Sequence, residues 1–186
     1  ADELELECYV IGGFVRDYII DKSTAKDIDI VVVGDGIDFA KKVSQKLKNS
    51  PKVTIFKTYG TAMFKYNDME IEFVGARKES YSKESRNPKV SIGTLEDDQN
   101  RRDFTINSMA FSLNKMNYGA LVDPFNGLVD IQNKVIRTPL SPEITYNDDP
   151  LRMLRAIRFA TKLNFKINED SLKSIENLSS RINIPS

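Results

Sequence analysis

Residues 9–34 constrain the fold of this chain more than any other stretch. They read YVIGGFVRDYIIDKSTAKDIDIVVVG, which predicts an apolar strand, a turn at Gly12 and Gly13, a helix that opens with FVRD, and a second strand. A helix that begins directly after glycines presents free backbone N–H groups and the positive end of its dipole. Both favour an anion, so the pattern predicts a phosphate site at the start of the helix.

The second strand carries two acidic residues, Asp27 and Asp29. Alternate residues of a strand share a face, so the two carboxylates project together while Ile28, Ile30 and Val32 face a core. Like charges about 7 Å apart repel one another and need a cation where a site is enclosed, and oxygen ligands select Mg²⁺. Asp-x-Asp alone is typical of a polar strand edge. About ten residues after GGFVRD, it indicates metal-assisted phosphoryl or nucleotidyl transfer.

Composition removes several classes of chemistry. The 186 residues contain no histidine, which excludes Ser–His and Cys–His catalysis and every zinc site that uses histidine. The single cysteine, Cys8, lies in the first apolar run and is predicted to be a buried small hydrophobe. A chain with one cysteine forms no internal disulfide, which fits a reducing compartment. No apolar run is as long as a membrane span, so we expect a cytoplasmic protein.

Net charge limits how a nucleic acid is bound. Lysine plus arginine equal aspartate plus glutamate at 27 each, so no overall positive field attracts RNA or DNA. A nucleic-acid site is therefore a local basic patch or lies outside this segment. The chain begins with Ala1 rather than Met and ends soon after a predicted helix, and we expect it to be part of a longer protein.

The next segments predict one helix and a group of strands. Residues 37–47 follow a helical apolar stripe, and residues 53–57, 61–66 and 69–74 have the composition of strands. This order indicates an α+β or α/β domain, with helices packed on a sheet. If the last of these strands neighbours the Asp27 strand, Glu72 becomes a third carboxylate for the metal site. The alternative is a solvated charge at a strand edge.

Two polar segments follow. Residues 78–88, KESYSKESRNP, have almost no apolar residue and predict either a loop that closes over a substrate or a plain surface insertion. Thr94 is a predicted helix N-cap, and acidic residues follow it in the first turn of the predicted helix. Arg101, Arg102 and Asp103 come next, and they suit either triphosphate recognition or a surface ion-pair network.

An amphipathic helix is predicted from Asp148 onwards, in DDPLRMLRAIRFATKL. Its predicted apolar side consists of Leu151, Leu154 and Ile157, with Met153 and Phe159. The arginines on the neighbouring side recur every three residues, at Arg152, Arg155 and Arg158.

Asp149 lies three residues before Arg152 and shares its side of the helix. Together they offer one acceptor group and one donor fork, which match the base edges of cytosine and adenine and clash with those of uracil and guanine. Arg155 and Arg158 would lie closer to the phosphates. The alternative is a solvated arginine face on a core helix.

In this order the segments resemble the class II tRNA nucleotidyltransferases, the CCA-adding enzymes, and their bacterial poly(A) polymerase relatives. The matching segments, between about residues 9 and 165, are GGFVRD, Asp27 with Asp29, Glu72 in IEFVGAR, RRDFTIN at 101–107, DPFNG at 123–127 and DDPLRMLRAIRF at 148–159. One departure is Asp148, where the family usually has glutamate.

The resemblance implies a fold and a domain division. The expected fold is an α+β (α/β) nucleotidyltransferase head of the DNA polymerase β type, with a mixed sheet and flanking helices. It would occupy residues 1–139, and residues 140–186 would begin an all-helical neck domain. The longer body and tail with which the family holds tRNA are expected outside this segment.

The resemblance also implies site residues. Asp27, Asp29 and Glu72 would be catalytic and would bind Mg²⁺. Nucleotide contacts would come from Gly12, Gly13, Arg16, Arg102, Asp103, Asp149, Arg152, Arg155 and Arg158.

The implied reaction transfers C and A from CTP and ATP to the 3′ end of tRNA, with release of pyrophosphate. Alternatives within the family are a poly(A) polymerase and a CC-adding or A-adding enzyme. Alternatives outside it are a catalytically silent nucleotide- or RNA-binding module and a DxD sugar transferase.

Overall fold

The computed structural model describes residues 1–23, 26–82 and 85–183. Within them a seven-stranded sheet forms the centre of the molecule, in the order β3-β4-β5-β2-β1-β8-β9. Its strands are β1 (Cys8–Ile11), β2 (Asp27–Val32), β3 (Thr54–Phe56), β4 (Thr61–Tyr66), β5 (Met69–Gly75), β8 (Ala110–Ser112) and β9 (Leu121–Val122). Two short pairings stand outside it, β6 (Arg77–Ser82) with β7 (Ser85–Ile92) and β10 (Val135–Ile136) with β11 (Lys166–Ile167).

The helices are α1 (Gly13–Asp21), α2 (Gly36–Lys46), α3 (Leu95–Asn100), α4 (Gly127–Asn133), α5 (Pro142–Asp148), α6 (Leu151–Leu163) and α7 (Glu169–Leu178). Short 3₁₀ turns lie at Asp2–Leu4, Thr105–Asn107, Lys115–Asn117 and Ser179–Asn183. As far as the chain is described, no helix is both long and apolar enough to span a membrane.

The sheet is mixed, as expected for a nucleotidyltransferase head. Strands β2 and β5 are parallel, with Asp27 opposite Glu70 and Asp29 opposite Glu72, whereas β1 runs antiparallel to both β2 and β8. The strand that carries Glu72 is therefore the direct neighbour of the strand that carries the two aspartates.

The two faces of the sheet are covered differently. Phe64 and Phe73 pack on one face with Phe39 of α2, in a cluster that includes the buried Cys8. On the other face, Val31 packs in a cluster with Leu95 at the start of α3 and with other buried residues. Because side chains alternate along a strand, Asp27 and Asp29 share this second face, and both are exposed.

Several local predictions are confirmed. The predicted helix at 37–47 is α2, and its N-cap Asp35 accepts from the N–H groups of Ile37 and Asp38. Thr94 caps α3 in a reciprocal capping box with Asp97.

The prediction of a loop at 78–88 is wrong, because most of this segment belongs to the β6–β7 hairpin; residues 83 and 84 lie outside the described residues. In the described part of the hairpin, a buried position is occupied by an acid. The Glu79 side chain is only 3% exposed and pairs with Arg77 at 2.8 Å and with Arg101 at 3.3 Å. Tyr81 Oη donates to the same carboxylate at 2.6 Å.

The predicted apolar side of α6 is also wrong in part. Leu154 and Ile157 are 47% and 50% exposed, whereas Met153, Ala156 and Phe159 are buried. The helix packs through Ala156 and Phe159 onto a cluster built from residues on either side of position 139. The buried side of the helix therefore contains Met153, Ala156 and Phe159, and not the predicted row of Leu151, Leu154 and Ile157.

The proposed boundary at residue 139 stays a prediction. The segment after it is joined to the segment before it by the parallel β10–β11 pairing, in which Ile136 lies opposite Ile167. Ile136 and Phe104 also share a hydrophobic cluster with Ala156. These contacts fix the position of α6 against the end of the sheet where α1 begins.

Candidate active site

The turn between β1 and α1 brings three functional groups together. Gly12 has φ +84°, and a Cβ at this position would lie 3.1 Å from Arg102 Nη1 and 3.5 Å from Asp29 Oδ2. A side chain here is therefore strained by the backbone conformation, and it would require Arg102 to shift by a few tenths of an ångström. At Gly13 an added Cβ would meet Arg16 Nη2 at 3.6 Å, an ordinary contact. Gly12 is the position that needs glycine, and it sets a carboxylate and a guanidinium beside the first turn of α1.

A cavity of about 350 Å³ opens at this turn, between the start of α1 and α6. Its lining contains five cationic side chains and two carboxylates. The lining residues are Gly12, Gly13, Arg16, Asp29, Arg102, Asp103, Asn107, Arg155, Arg158, Phe159 and Lys162. A chain with zero net charge thus has a locally basic cavity, which suits a polyanionic group such as a triphosphate.

A hydrogen-bonded network orders one wall of this cavity. Arg16 is buried and donates to both carboxylate oxygens of Asp17 at 2.7 and 2.8 Å and to Asn107 Oδ1 at 2.6 Å. Asn107 Nδ2 donates to Asp103 Oδ1 at 3.0 Å. Asp103 Oδ2 then accepts from Arg155 Nε at 2.8 Å. Charge-assisted bonds of this kind are strong and directional, so α1 and α6 present their arginines in fixed positions.

Arg102 is bound by the fully buried Asp98 through two of its three guanidinium nitrogens. Arg102 Nε lies 3.1 Å from Asp98 Oδ2 and its Nη2 lies 3.0 Å from the same oxygen, while Arg101 binds Oδ1 at 2.6 Å. Burial alone would raise the pKa of Asp98, but the Arg102 and Arg101 guanidinium groups hold this pKa below its ordinary value. The remaining Arg102 nitrogen, Nη1, is left on the side of Gly12, 3.4 Å from the Asn107 carbonyl.

Asp29 is strained electrostatically in this position. Partial enclosure of its carboxylate raises the pKa, and the charges of Glu72 and Asp27 raise it further, against the opposing effect of Arg102. A cation bound beside Asp29 would relieve this repulsion.

The predicted set of three metal ligands is not brought together. Among the residues that the structure describes, no three acidic or cysteine side chains converge closely enough to hold a metal ion. The charges of Asp27 and Glu72 both repel the charge of Asp29, and neither of those two residues lines the cavity. Asp27 and Asp29 still fit Mg²⁺, because this ion commonly takes one or two carboxylates and completes its shell with substrate phosphates and water. A ligand role for Glu72 stays a prediction.

The predicted base-reading pair lies outside the cavity. Arg152 is 7% exposed and donates to Tyr81 Oη at 3.2 Å and to the Arg101 carbonyl at 2.8 Å. Asp149 Oδ1 accepts from the Leu151 N–H at 3.1 Å, at the start of α6. In this structure both side chains therefore have intramolecular partners, and base reading by them stays a prediction.

Three cavity residues were not predicted: Asn107, Phe159 and Lys162. Asn107 lies in the RRDFTIN segment, but an amide gives no charge signal in a sequence. Lys162 continues the series of Arg155 and Arg158 at helical spacing, and that spacing could have identified it. Phe159 was assigned to the core alone, yet its ring also forms part of the cavity wall.

A larger cavity of about 450 Å³ lies on the opposite face of the sheet, between Val10, Ile28 and Phe111. Its wall is apolar and, as far as the chain is described, contains no acid, lysine or arginine. A phosphate group is therefore better matched by the lining of the smaller, basic cavity.

Comparison with known proteins identifies the family to which this chain belongs. Residues 8–137 match the family model described as the poly(A) polymerase head domain. The chain is 42% identical over 171 residues to an A-adding tRNA nucleotidyltransferase of Aquifex aeolicus (strain VF5), covering 92% of the chain and 20% of the relative. It is 36% identical over 182 residues to the mitochondrial CCA tRNA nucleotidyltransferase of Saccharomyces cerevisiae (strain ATCC 204508 / S288c), covering 87% of the chain and 32% of the relative.

A solved structure shows the same fold. A tRNA nucleotidyltransferase complexed with a primer tRNA and an incoming ATP analog superposes with a TM-score of 0.83 and 38% identity, over 97% of this chain and 49% of the other. The chain thus spans between a fifth and a half of the length of these relatives. Its sequence and its fold place the chain in the class II tRNA nucleotidyltransferase family, with which it shares the poly(A) polymerase head domain.

Proposed function

We propose that this chain is the catalytic head of an enzyme that transfers AMP from ATP to the 3′ end of tRNA. The observation that carries the proposal is the basic cavity at Gly12, where Asp29 and Arg102 lie beside the first turn of α1. The Aquifex relative, which is named for A addition, supports adenosine as the nucleotide. The ATP analog in the related structure supports ATP as the donor.

The cationic residues would bind and orient the triphosphate. Arg102 Nη1, held by Asp98 from behind, is available on the Gly12 side of the cavity. Arg155 and Arg158 approach from α6. Placing the α-phosphate against a fixed guanidinium and the N–H groups of α1 supplies electrostatic stabilisation without reorganisation during the reaction.

In the proposed reaction the tRNA 3′-hydroxyl attacks the α-phosphate of ATP in line, and pyrophosphate leaves. Asp27 and Asp29 would hold Mg²⁺, which when bound polarises the phosphoryl oxygens and lowers the pKa of the attacking hydroxyl. Arg102 stands across Gly12 from Asp29, where it would balance charge on the transferred phosphate. Glu72, opposite Asp29 in the strand register, is proposed as a further acidic group at the same edge.

Full CCA addition is the second candidate. It is favoured by the Saccharomyces relative, which is named for CCA addition, and by the Asp149–Arg152 pair, whose donor and acceptor groups suit both C and A. For this pair to read a base, Arg152 must give up its hydrogen bonds to Tyr81 Oη and the Arg101 carbonyl and donate to the base edge instead.

A cytoplasmic location also remains a proposal.

Three tRNA transcripts distinguish these candidates. They end at the base before CCA, after the first C and after the second C, and each is incubated with Mg²⁺ and either CTP or ATP. A addition predicts that only the transcript ending in CC is extended, by one residue, with ATP alone. CCA addition predicts extension of all three, and repeated addition of A indicates a poly(A) polymerase. Binding of ATP without extension of any transcript would contradict both transfer proposals and would favour a silent binding module.

A further inference from the structure

Three arginines surround a single aromatic ring in the candidate active site. The guanidinium carbon of Arg158 lies 4.8 Å from the centre of the Phe159 ring, that of Arg16 lies 5.0 Å away, and that of Arg155 lies 5.5 Å away. Each distance is within the range of a cation–π contact. Phe159 is only 6% exposed, and its ring meets Phe104 edge-on at 5.8 Å. The ring is thus fixed in the core and carries the three cations on the cavity side.

The Phe159 ring offsets the electrostatic repulsion among the three neighbouring guanidinium groups. Guanidinium groups this close to one point repel one another, and without a counter-charge they would spread into solvent. The negative face of an aromatic ring attracts each of them and needs no water-filled space around it. An aliphatic side chain of similar size would fill the same core space but would not attract the guanidinium groups.

The arginines differ in how far their charges are already neutralised. Asp17 pairs with Arg16, and Asp103 pairs with Arg155 at 2.6 Å. Among the described side chains, Arg158 and Lys162 have no carboxylate within ion-pair distance, and both line the cavity. The cavity therefore keeps uncompensated positive charge at the Phe159 end, which an anionic group with more than one charge would neutralise.

We propose that Phe159 is a positioning residue that gathers Arg16, Arg155 and Arg158 into one site for the terminal phosphates of the nucleoside triphosphate. The inference rests on the proposed function, because it assumes that the α-phosphate lies by Asp29 and Arg102. With the α-phosphate there, the rest of the triphosphate extends to the Phe159 group of cations. The aromatic character of residue 159, and not only its volume, then sets the affinity for the phosphate chain.

Three variants separate the ring from the volume it fills. Phe159→Leu keeps an apolar side chain and removes the ring, and Phe159→Tyr keeps the ring. Phe104→Leu is the matched control, because Phe104 is buried in the same hydrophobic cluster and contacts Phe159 edge-on. Among the described arginines, none lies over the Phe104 ring. Melting temperatures establish that each variant is folded, and Phe159→Met replaces the leucine variant if the latter does not fold.

Calorimetric titrations then measure the dissociation constants of ATP, AMP and inorganic triphosphate with Mg²⁺. We expect Phe159→Leu to weaken ATP and inorganic triphosphate by about tenfold, while AMP changes by less than about twofold. Phe159→Tyr and Phe104→Leu should stay within about threefold of the wild type for all three probes.

The inference is overturned if Phe159→Leu binds ATP as the wild type does, if Phe104→Leu loses as much affinity, or if AMP weakens in parallel with ATP. It is also overturned if the wild-type protein does not bind inorganic triphosphate. Failure of the proposed function gives a different result: the wild-type protein binds triphosphate with the Phe159 dependence described and extends no tRNA transcript.

Discussion

Two adjacent glycines should respond to alanine with opposite changes in stability. At Gly12, with φ +84°, alanine must adopt a backbone conformation that L-residues rarely take, at a cost of about 1–3 kcal/mol. Its Cβ also comes within 3.1 Å of Arg102 Nη1, and Arg102 has little freedom to move because Asp98 binds it through two nitrogens. At Gly13, the first residue of α1, alanine fits and should stabilise by about 0.4–1 kcal/mol, since it loses less chain entropy on folding.

The two variants should therefore differ by about 1.4–4 kcal/mol in the free energy of unfolding. Urea titrations of Gly12→Ala, Gly13→Ala and the wild type measure this directly, and for a chain of this size the melting temperature should fall by roughly 3–10 °C in Gly12→Ala alone. ATP binding should weaken in Gly12→Ala because Arg102 and Asp29 are displaced. The reasoning is refuted if Gly12→Ala is as stable as Gly13→Ala.

Three further variants test the charges and hydrogen bonds around the site. Asp98→Asn should lower the free energy of unfolding at pH 7 by about 3 kcal/mol, because two arginines lose their buried partner. The depressed pKa of Asp98 means that its contribution is present above about pH 4 and is lost as the pH falls through the folded-state pKa. A difference from wild type that grows as the pH falls below about 4 would contradict the assignment. Asp29→Asn should raise the melting temperature at pH 7 in buffer that contains a chelator. The reason is that the raised pKa of Asp29 makes its charged form lower the free energy of unfolding above about pH 4. An unchanged or lower melting temperature would argue against this destabilisation. Tyr81→Phe removes the hydroxyl that donates to Glu79 and accepts from Arg152. Thermal unfolding should show that the free energy of unfolding falls by about 1–3 kcal/mol. An unchanged free energy would show that these hydrogen bonds of the hairpin do not stabilise the protein.

The end of the fold that carries the candidate site was predictable because its signals are local. Glycines before a helix and alternating aspartates on a strand act within a few residues, and the structure has the predicted strand, turn, helix and strand. The sequence does not show that β2 and β5 are neighbours, because strand pairing depends on the whole sheet. The role of Glu72 was therefore predicted only for the case in which these two strands pair. The structure fulfils that condition and sets Glu72 opposite Asp29.

The errors on α6 and the hairpin arise from long-range contacts. Arg152 is buried because Tyr81, 71 positions away in sequence, and the Arg101 carbonyl satisfy its guanidinium, and no helical period contains that information. Leu154 and Ile157 gave the helix an apparent apolar stripe, but Ala156 and Phe159 are the residues of α6 that are buried in the hydrophobic cluster. The hairpin was missed because an acid, Glu79, takes the place of the usual apolar residue.

The central claim is that the Asp29 edge of the basic cavity catalyses nucleotidyl transfer to tRNA. The most direct test compares the rate at which wild-type protein and Asp29→Asn add labelled AMP to a tRNA transcript that lacks only its terminal A, at saturating ATP and Mg²⁺. We expect one added residue by the wild type, and a rate lower by about a thousandfold or more in a variant that remains folded, because metal-assisted stabilisation of several kcal/mol is lost. Addition by Asp29→Asn at the wild-type rate would contradict the central claim.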